Sequence, residues 1–402
     1  MTVKSAMSRA EFIALMAMLF ATIAFSIDSM LPALPEIGAE LSPDNLNRAQ
    51  LIITAFMVGL GFGTFLSGPI SDAMGRKPVI LLGAAVYITG ALWAWRAQSL
   101  ETVLIARAIQ GLGAAGPRVV GMAVIRDLYQ GRQMARLMSI VMVIFTLVPA
   151  VAPLIGSWII ALSDWRGIFL AFVAFSLVGA GWVGVRLEET LPRDERRAFR
   201  VAPLYNALKE VLSHKAVLIA ISALTLCFAM LMSMLQSVQP IYDLYFGRSD
   251  SFPLWFALVC LVAVTSSFVN AALVVRLGMR YLVTVMLTAE IGLAGLFILL
   301  NGLGLPEPWG FTAFLIFQVS VFFMAGLVFG NLTAMGMEPL GHIAGMAASV
   351  ISGVSTILGM LVATPIGMSF DGTPAPLARG IFLLAVVALA LMLWLRRLEQ
   401  RA

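Results

Sequence analysis

Four ionisable side chains lie inside long apolar stretches of this sequence: Asp28, Arg107, Arg118 and Glu290. A charged side chain at the depth of a lipid bilayer costs several kcal/mol unless it is paired or hydrated. Each of the four is therefore a candidate for chemistry that needs a charge. For a carboxyl group that chemistry is the uptake and release of a proton, and for a guanidinium it is the binding of an anion.

A basic segment, GPISDAMGRKP, occupies residues 68–78 between two apolar stretches. Gly68 and Gly75 are expected to allow close backbone approach and a tight turn. Asp72 stands four residues before Arg76, where it can pair with that guanidinium or with the N-terminus of another helix. The alternative is an ordinary basic turn.

The composition around these residues is that of an integral membrane protein. Of the 402 residues, 60% are hydrophobic and 12% are charged, and the mean hydropathy is +0.97. Soluble domains carry about 25% charged residues. The apolar stretches are continuous and do not alternate with a period of two, which excludes an outer-membrane barrel. Cys227 and Cys260 lie in apolar stretches and indicate neither a disulfide framework nor a metal site, so no metal or cofactor is expected.

The apolar stretches predict twelve membrane-spanning helices. Their approximate bounds are 12–35, 48–71, 78–97, 101–125, 134–160, 165–186, 216–245, 253–276, 281–303, 309–335, 343–370 and 378–395.

Nineteen of the 26 Lys and Arg residues fall on one side of these spans and five on the other. Because positive charge marks the cytoplasmic side, both termini are predicted to be cytoplasmic. The charge excess follows the loops and forms no basic stripe with interleaved aromatics, so no nucleic-acid partner is expected. The predicted domains are an N-terminal six-helix half, 1–187, a cytoplasmic linker, 188–215, and a C-terminal six-helix half, 216–402. An even division of the spans favours a duplicated architecture over a chance position of the linker.

Residues 68–78 resemble the loop signature of the major facilitator superfamily. In that signature a Gly, an Asp, a second Gly and two basic residues recur at the positions of Gly68, Asp72, Gly75, Arg76 and Lys77. The segment RAIQGLGAAG at 107–116 resembles the second signature of the family. Asp127 is similar to the acid that pairs with the loop arginine in the outward-open state. The segment VPAVAPLIGSW resembles the antiporter signature, with Ala152-Pro153 in place of the usual Gly-Pro.

Three other segments look most like the bicyclomycin-resistance branch of the drug:proton antiporters. They are SIDSMLPALP, GMAASV, and Asp164-Trp165-Arg166 followed by Phe169. In the second half, Val275 stands where the loop Asp would be, so the first half is expected to carry the gate network. The resemblance implies an all-α integral membrane protein with 12 transmembrane helices in two six-helix halves that rock around a central site.

The same resemblance places predicted helices one and four on a central cavity, where Asp28 and Arg107 share a depth. We expect Asp28 to take up and release the proton and Arg107 to tune its proton affinity, and the alternative is a permanent structural ion pair. Arg118, 11 residues after Arg107, is predicted to face the same way and to bind substrate. A helix-end carbonyl or an acid that neutralises Arg118 is the alternative. For Glu290, a packing hydrogen bond is favoured over a second proton site.

Polar residues in the spans of the second half are expected either to line the cavity or to join helices. The residues predicted to bind substrate are Gln236, Gln239 and Asn331.

The predicted function is proton-coupled export of small amphiphilic drugs or metabolites across the bacterial inner membrane by alternating access. The expected partners are a small-molecule substrate, protons and the lipid bilayer, and a monomer is expected. The sequence has no GxxxxGK[ST] loop, so ATP is not the expected energy source. The alternative is a narrow-specificity exporter or importer of an organic anion or zwitterion anchored by Arg118. A membrane enzyme is disfavoured, because the sequence shows no cluster of acids or histidines near a membrane face beyond the acids of the signatures. A channel is disfavoured by the gating signatures and by the organisation in two halves.

Overall fold

The computed structural model describes residues 7–196, 198 and 201–399, and within them the regular secondary structure is entirely helical. Contacts between residues divide the chain into two compact units, unit 1 (Met1–Tyr205) and unit 2 (Asn206–Ala402). The boundary between the units lies inside the predicted linker 188–215. The cytoplasmic position of that linker and the domain limits stay predictions.

Unit 1 contains seven α-helices in its described part. They are α1 (Arg9–Asp28), α2 (Leu34–Leu41), α3 (Leu51–Met74), α4 (Arg76–Trp95), α5 (Leu100–Leu128), α6 (Gly131–Leu162) and α7 (Arg166–Arg186). A 3₁₀ turn at Leu31–Ala33 joins α1 to α2, another at Leu46–Gln50 precedes α3, and a third lies at Arg193–Glu195. A further helix, α8 (Val201–Ser213), spans the boundary between the two units.

Six long helices form the rest of unit 2. They are α9 (Lys215–Pro240), α10 (Phe252–Leu277), α11 (Met279–Gly302), α12 (Trp309–Met337), α13 (Ala344–Met368) and α14 (Ala375–Glu399). A π-helical turn, Ile241–Tyr245, extends α9, and a 3₁₀ turn, Glu338–Ile343, separates α12 from α13. α9 packs against α12, α13 and α14.

Eleven segments of the described chain are long and apolar enough to cross a membrane. One of them, Trp309–Met368, has 60 residues, whereas a single crossing needs about 20. It comprises α12 and α13, so the eleven segments contain twelve long helices, six in each unit. The prediction of an all-α membrane protein with 12 transmembrane helices in two groups of six is confirmed.

The predicted linker is partly helical, which the sequence reading missed. α8 buries Ala207 and Val211, four residues apart on one face. Glu210 Oε1 lies 2.8 Å from Nε2 of His342, so α8 is tied to the 3₁₀ turn between α12 and α13. The helix was missed because residues 188–215 were interpreted as a linker from their polar composition as a whole.

Two glycines bring α3 and α5 of unit 1 into backbone contact. A Cβ atom at Gly59 would lie 1.9 Å from the carbonyl oxygen of Ala108, and one at Gly111 would lie 1.9 Å from that of Phe56. In a bilayer, close packing of this kind replaces the hydrophobic effect as the force that holds helices together. The contact fixes α5, which also packs along α4, at the centre of unit 1.

Replacing Gly111 by Ala should therefore destabilise unit 1. The added methyl group forces the two backbones apart, at a cost of about 1–3 kcal/mol, whereas Gly181→Ala on α7 adds a methyl group that meets no atom within 4 Å. The measurement is the apparent melting temperature of the purified protein in detergent. A melting temperature that falls equally in both variants would contradict a contact specific to α3 and α5.

Candidate functional site

Arg76 is the centre of a polar cluster where α3 meets α4. Its Nη1 donates to Oδ1 of Asp72 at 2.5 Å and to Oγ of Ser71 at 2.8 Å, and its Nε donates to Oδ2 of Asp127 at 3.0 Å. Thr190 Oγ1 also donates to Oδ2 of Asp127, at 2.8 Å. The structure thus joins Asp72, Arg76 and Asp127 through one guanidinium, and the gating role of this cluster stays a prediction.

Glu189 completes the cluster and was not singled out in the sequence. Its Oε1 accepts a hydrogen bond from the backbone N–H of Arg76 at 2.8 Å, and its Oε2 accepts one from the N–H of Lys77 at 3.2 Å. These are the first two N–H groups of α4, which have no partner within the helix. A carboxylate at a helix N-terminus also interacts favourably with the helix dipole. Glu189 is 113 residues from Arg76, so no local pattern could reveal the contact.

The two signature glycines differ in role. Gly75 has a φ of 106°, and a Cβ atom there would lie 2.4 Å from Oε2 of Glu189, so the turn requires glycine. Gly68 lies inside α3, and a Cβ atom there would meet no atom within 4 Å. The expectation that Gly68 allows a close backbone approach and a turn is therefore wrong. α3 continues through Pro69 to Met74, which leaves Gly75 alone as the turn.

Lys77 is held at the same end of unit 1. Its Nζ donates a hydrogen bond to the carbonyl oxygen of Gly184 on α7 at 2.8 Å. The two basic residues of the signature thus connect α4 to different neighbours, Arg76 to α3 and α5, and Lys77 to α7.

Arg107 is fully buried, and its two terminal nitrogens are paired without a carboxylate, whereas its Nε has no hydrogen-bond partner among the described residues. Its Nη2 donates to the carbonyl oxygen of Ser26 at 2.9 Å, and its Nη1 donates to Oε1 of Gln110 at 2.7 Å. The guanidinium carbon lies 4.3 Å from the centre of the Phe56 ring. Burial of a cation is tolerated where hydrogen bonds and a ring face surround it.

Asp28 is the last residue of α1 and is 4% exposed. Between Asp28 and Arg107 there is no ion pair, so the alternative of a permanent structural pair is wrong. Arg107 instead contacts α1 two residues earlier, at Ser26. Within the described residues, the Asp28 carboxyl group has neither a hydrogen bond nor an ion pair.

Arg118 and Arg107 occupy different environments although both were expected to face one way. The Arg118 side chain is exposed, whereas Arg107 has no exposed surface. Among the described residues no acceptor, acid or ring contacts Arg118, so neutralisation by a helix-end carbonyl or an acid is absent. Pro117 lies within α5, which stays helical from Leu100 to Leu128.

The polar residues of unit 2 are mostly engaged in packing. Asn331 Nδ2 on α12 donates to Oδ1 of Asn270 on α10 at 2.8 Å, which joins two helices. Ser320 Oγ donates to Oε1 of the fully buried Glu290 at 3.2 Å, in agreement with the favoured packing hydrogen bond. Gln236 and Gln239 are buried on α9. Their roles in binding substrate, and that of Asn331, stay predictions.

Among the described residues, no three His, Cys, Asp or Glu side chains are grouped so that they could hold a metal ion. Cys227 and Cys260 are buried and are not joined in a disulfide.

Replacing Glu189 by Ala should open the first turn of α4. The N–H groups of Arg76 and Lys77 lose their acceptor, which costs about 1 kcal/mol for a helix cap. Backbone hydrogen exchange at these two residues should then be roughly fivefold faster. Hydrogen–deuterium exchange mass spectrometry of a peptide covering 75–80 measures this. Glu195→Ala, an exposed acid nearby, is the control, and equal exchange in both variants would contradict the cap.

Comparison with known proteins identifies the family. Residues 14–364 match the family model of the Major Facilitator Superfamily. A bicyclomycin resistance protein homolog of Haemophilus influenzae is 28% identical over 359 residues, which cover 88% of each chain. A chloramphenicol resistance protein of Pseudomonas aeruginosa is 29% identical over 364 residues, 85% of this chain and 79% of that protein.

The fold agrees with that assignment. The crystal structure of a D-xylose–proton symporter superposes with a TM-score of 0.72 over 95% of this chain and 97% of that chain, at 15% identity. The similarity to the bicyclomycin-resistance homolog also supports the predicted branch. The chain belongs to the major facilitator superfamily and is a membrane transporter, not an enzyme.

Proposed function

We propose that this transporter couples the entry of protons to the export of small amphiphilic drugs or metabolites by alternating access. The observation that carries the proposal is Asp28, a carboxyl group buried at the end of a membrane-spanning helix without a hydrogen bond or ion pair among the described residues. A charged carboxylate in that position is costly, and binding a proton removes the cost. Asp28 can therefore alternate between two charge states whose energies depend on its surroundings.

Arg107 supports the proposal by its position. Its guanidinium is held at Ser26, about one half-turn of α1 from Asp28. The groups that hold it, a backbone carbonyl and the amide of Gln110, are neutral. A small movement of α1 or of the guanidinium would bring the cation closer to Asp28 and favour its charged form. This is the tuning role expected for Arg107.

The relatives support export as the direction and drugs as the substrate class. They are named for resistance to bicyclomycin and to chloramphenicol, and removal of a compound from the cell gives resistance. We place the protein in the bacterial inner membrane, as a monomer with both termini cytoplasmic, because the basic loops favour that orientation.

Asp28→Asn should abolish accumulation of substrate driven by a pH gradient in proteoliposomes, because the amide cannot bind and release a proton. Exchange of labelled chloramphenicol at equal pH on both sides should remain. Asp44→Asn, an exposed acid after α2, is the matched control and should keep both activities. Full gradient-driven transport by Asp28→Asn would refute the assignment of the proton site.

A second candidate function is transport of an organic anion or zwitterion, for which Arg118 is the specific observation. Its exposed guanidinium contacts neither an acid nor a hydrogen-bond acceptor within the described residues. Such a cation is free to bind a carboxylate and repels a cationic substrate.

Arg118→Gln separates the two candidates. If Arg118 anchors a carboxylate, the affinity for carboxylate-bearing compounds should fall about tenfold or more, since a charged hydrogen bond is lost. The affinity for cationic and neutral compounds should not fall. Arg132→Gln, an exposed arginine at the start of α6, is the control. The measurements are titration of each class of compound into the purified variants and a susceptibility panel in an efflux-deficient host, and unchanged affinity and protection for every class would exclude an anchoring role.

A further inference from the structure

A cavity of about 280 Å³ lies at one end of unit 2, and none of the residues assigned to transport is among those that line it. It is bordered by the turn that follows α9, by the last turns of α11 and by the first turns of α12. Its chemistry is set by Tyr245, Phe246, Phe297, Asn301, Glu307 and Ala313. The volume approaches that of sites for small ligands.

The aromatic walls of the cavity are held by other rings. Phe246 packs edge-to-face against Tyr245 at 4.8 Å and against Phe311 at 5.1 Å. Phe297 stacks on Phe317 with centroids 4.9 Å apart. Rings fixed in this way offer an apolar surface whose shape is formed before a ligand arrives, and their faces attract cations.

The polar side of the cavity has a carboxylate, that of Glu307, which can still accept short hydrogen bonds. Glu307 is 56% exposed, and its oxygens lie 3.4 and 3.5 Å from the nitrogens of Arg248. These distances exceed the 2.7–2.9 Å that is typical of a charge-assisted hydrogen bond. The Arg248 guanidinium carbon lies 4.3 Å from the centre of the Phe311 ring, which holds the cation there. Tyr245 Oη donates to Oδ1 of Asn301 at 3.2 Å, and this pair forms another wall of the cavity.

The surrounding turns carry negative charge. Residues 241–252 and 303–308 contain three acids, Asp243, Asp250 and Glu307, and one base, Arg248, which gives a formal charge of −2. A cation is therefore attracted to this end of unit 2, and an anion is repelled.

This end of unit 2 also has the character of a membrane–water interface. Trp309, beside the cavity, is 66% exposed, and the ring of Tyr245 is exposed as well. Tyr and Trp are enriched at that level of the bilayer, where one end of a molecule is apolar and the other is wet. A ligand that reaches the cavity from the interface is therefore expected to be amphiphilic, with one apolar end and one polar end.

We infer that this cavity binds an amphiphilic ammonium compound, whose positive group pairs with Glu307 and whose apolar part packs against Phe246 and Phe297. Two sources supply that chemistry, a free amine and the ethanolamine headgroup of a phospholipid. The inference does not depend on the transport function proposed above, because none of the residues assigned to transport lines the cavity.

The test is isothermal titration of the purified full-length protein in maltoside detergent with 4-phenylbutylammonium, and with 4-phenylbutyrate as the anionic counterpart. We expect saturable binding of the ammonium compound only. Glu307→Gln should weaken it about tenfold or more, because the charge is lost. Ala313→Leu should weaken it by filling the cavity. Glu338→Gln, an exposed acid just beyond the other end of α12, should bind as the wild type does.

Two further arms locate the site and the source of the ligand. Asp28→Asn should retain the binding, which separates this cavity from the proposed proton site. The second arm measures binding in phosphatidylglycerol nanodiscs with and without added phosphatidylethanolamine. If the added lipid weakens the binding, the ethanolamine headgroup competes for the cavity. If it has no effect, the free amine is the ligand. Binding that is absent in the wild type, or that is equal in wild type, Glu307→Gln and Ala313→Leu, overturns the inference.

Discussion

Water is absent from the hydrocarbon core of a bilayer, so every charged group that a helix carries there needs a partner within the protein, contact with water in a cavity, or a way to lose its charge. Unit 1 meets this constraint in two ways within a short distance. Arg107 cannot lose its charge, and it is surrounded by the Ser26 carbonyl, the Gln110 amide and the Phe56 ring. Asp28 has no such set of partners among the described residues, but a carboxyl group can be neutralised by a proton. The different acid–base properties of the two side chains explain why one is packed and the other is left unpaired.

The positions of these groups depend on the packing of glycines. Gly59 and Gly111 allow the backbones of α3 and α5 to touch, and Arg107 lies one turn before Gly111 on α5. The same contact brings Phe56 of α3 under the guanidinium. On the other side, Ser26 Oγ and Tyr87 Oη share a hydrogen bond of 2.6 Å, which joins α1 to α4 at this level. Four helices of unit 1 therefore meet around one buried cation, which contacts α1 two residues before Asp28.

The sequence predicted what depends on local pattern and missed what depends on distant contacts. Twelve spans follow from length and hydropathy alone, and the Asp72–Arg76 pair follows from a spacing of four residues. Glu189 could not be found in this way, because its partners precede it by more than 100 residues. The role given to Gly68 was wrong because the freedom of glycine does not by itself place a turn, and α3 continues through Gly68 and Pro69 to Met74. The difference in burial between Arg107 and Arg118 depends on the neighbours of α5, which helical periodicity does not describe.

Two sets of contacts in unit 1, the glycine contacts between α3 and α5 and the polar cluster around Arg76, differ in how easily they can be broken. The contacts of Gly59 with Ala108 and of Gly111 with Phe56 are backbone on backbone, and they cannot change unless the helices separate. The cluster around Arg76 is made of ion pairs and hydrogen bonds, and the Asp72 side chain within it is half exposed. Polar contacts near water can exchange partners one at a time at little net cost, since water replaces each lost bond. Unit 1 therefore combines a middle that resists deformation with an end whose contacts can be broken and remade. The alternating access that we propose, with this cluster as the predicted gate, requires this combination, because a substrate site must keep its shape while a gate changes its partners.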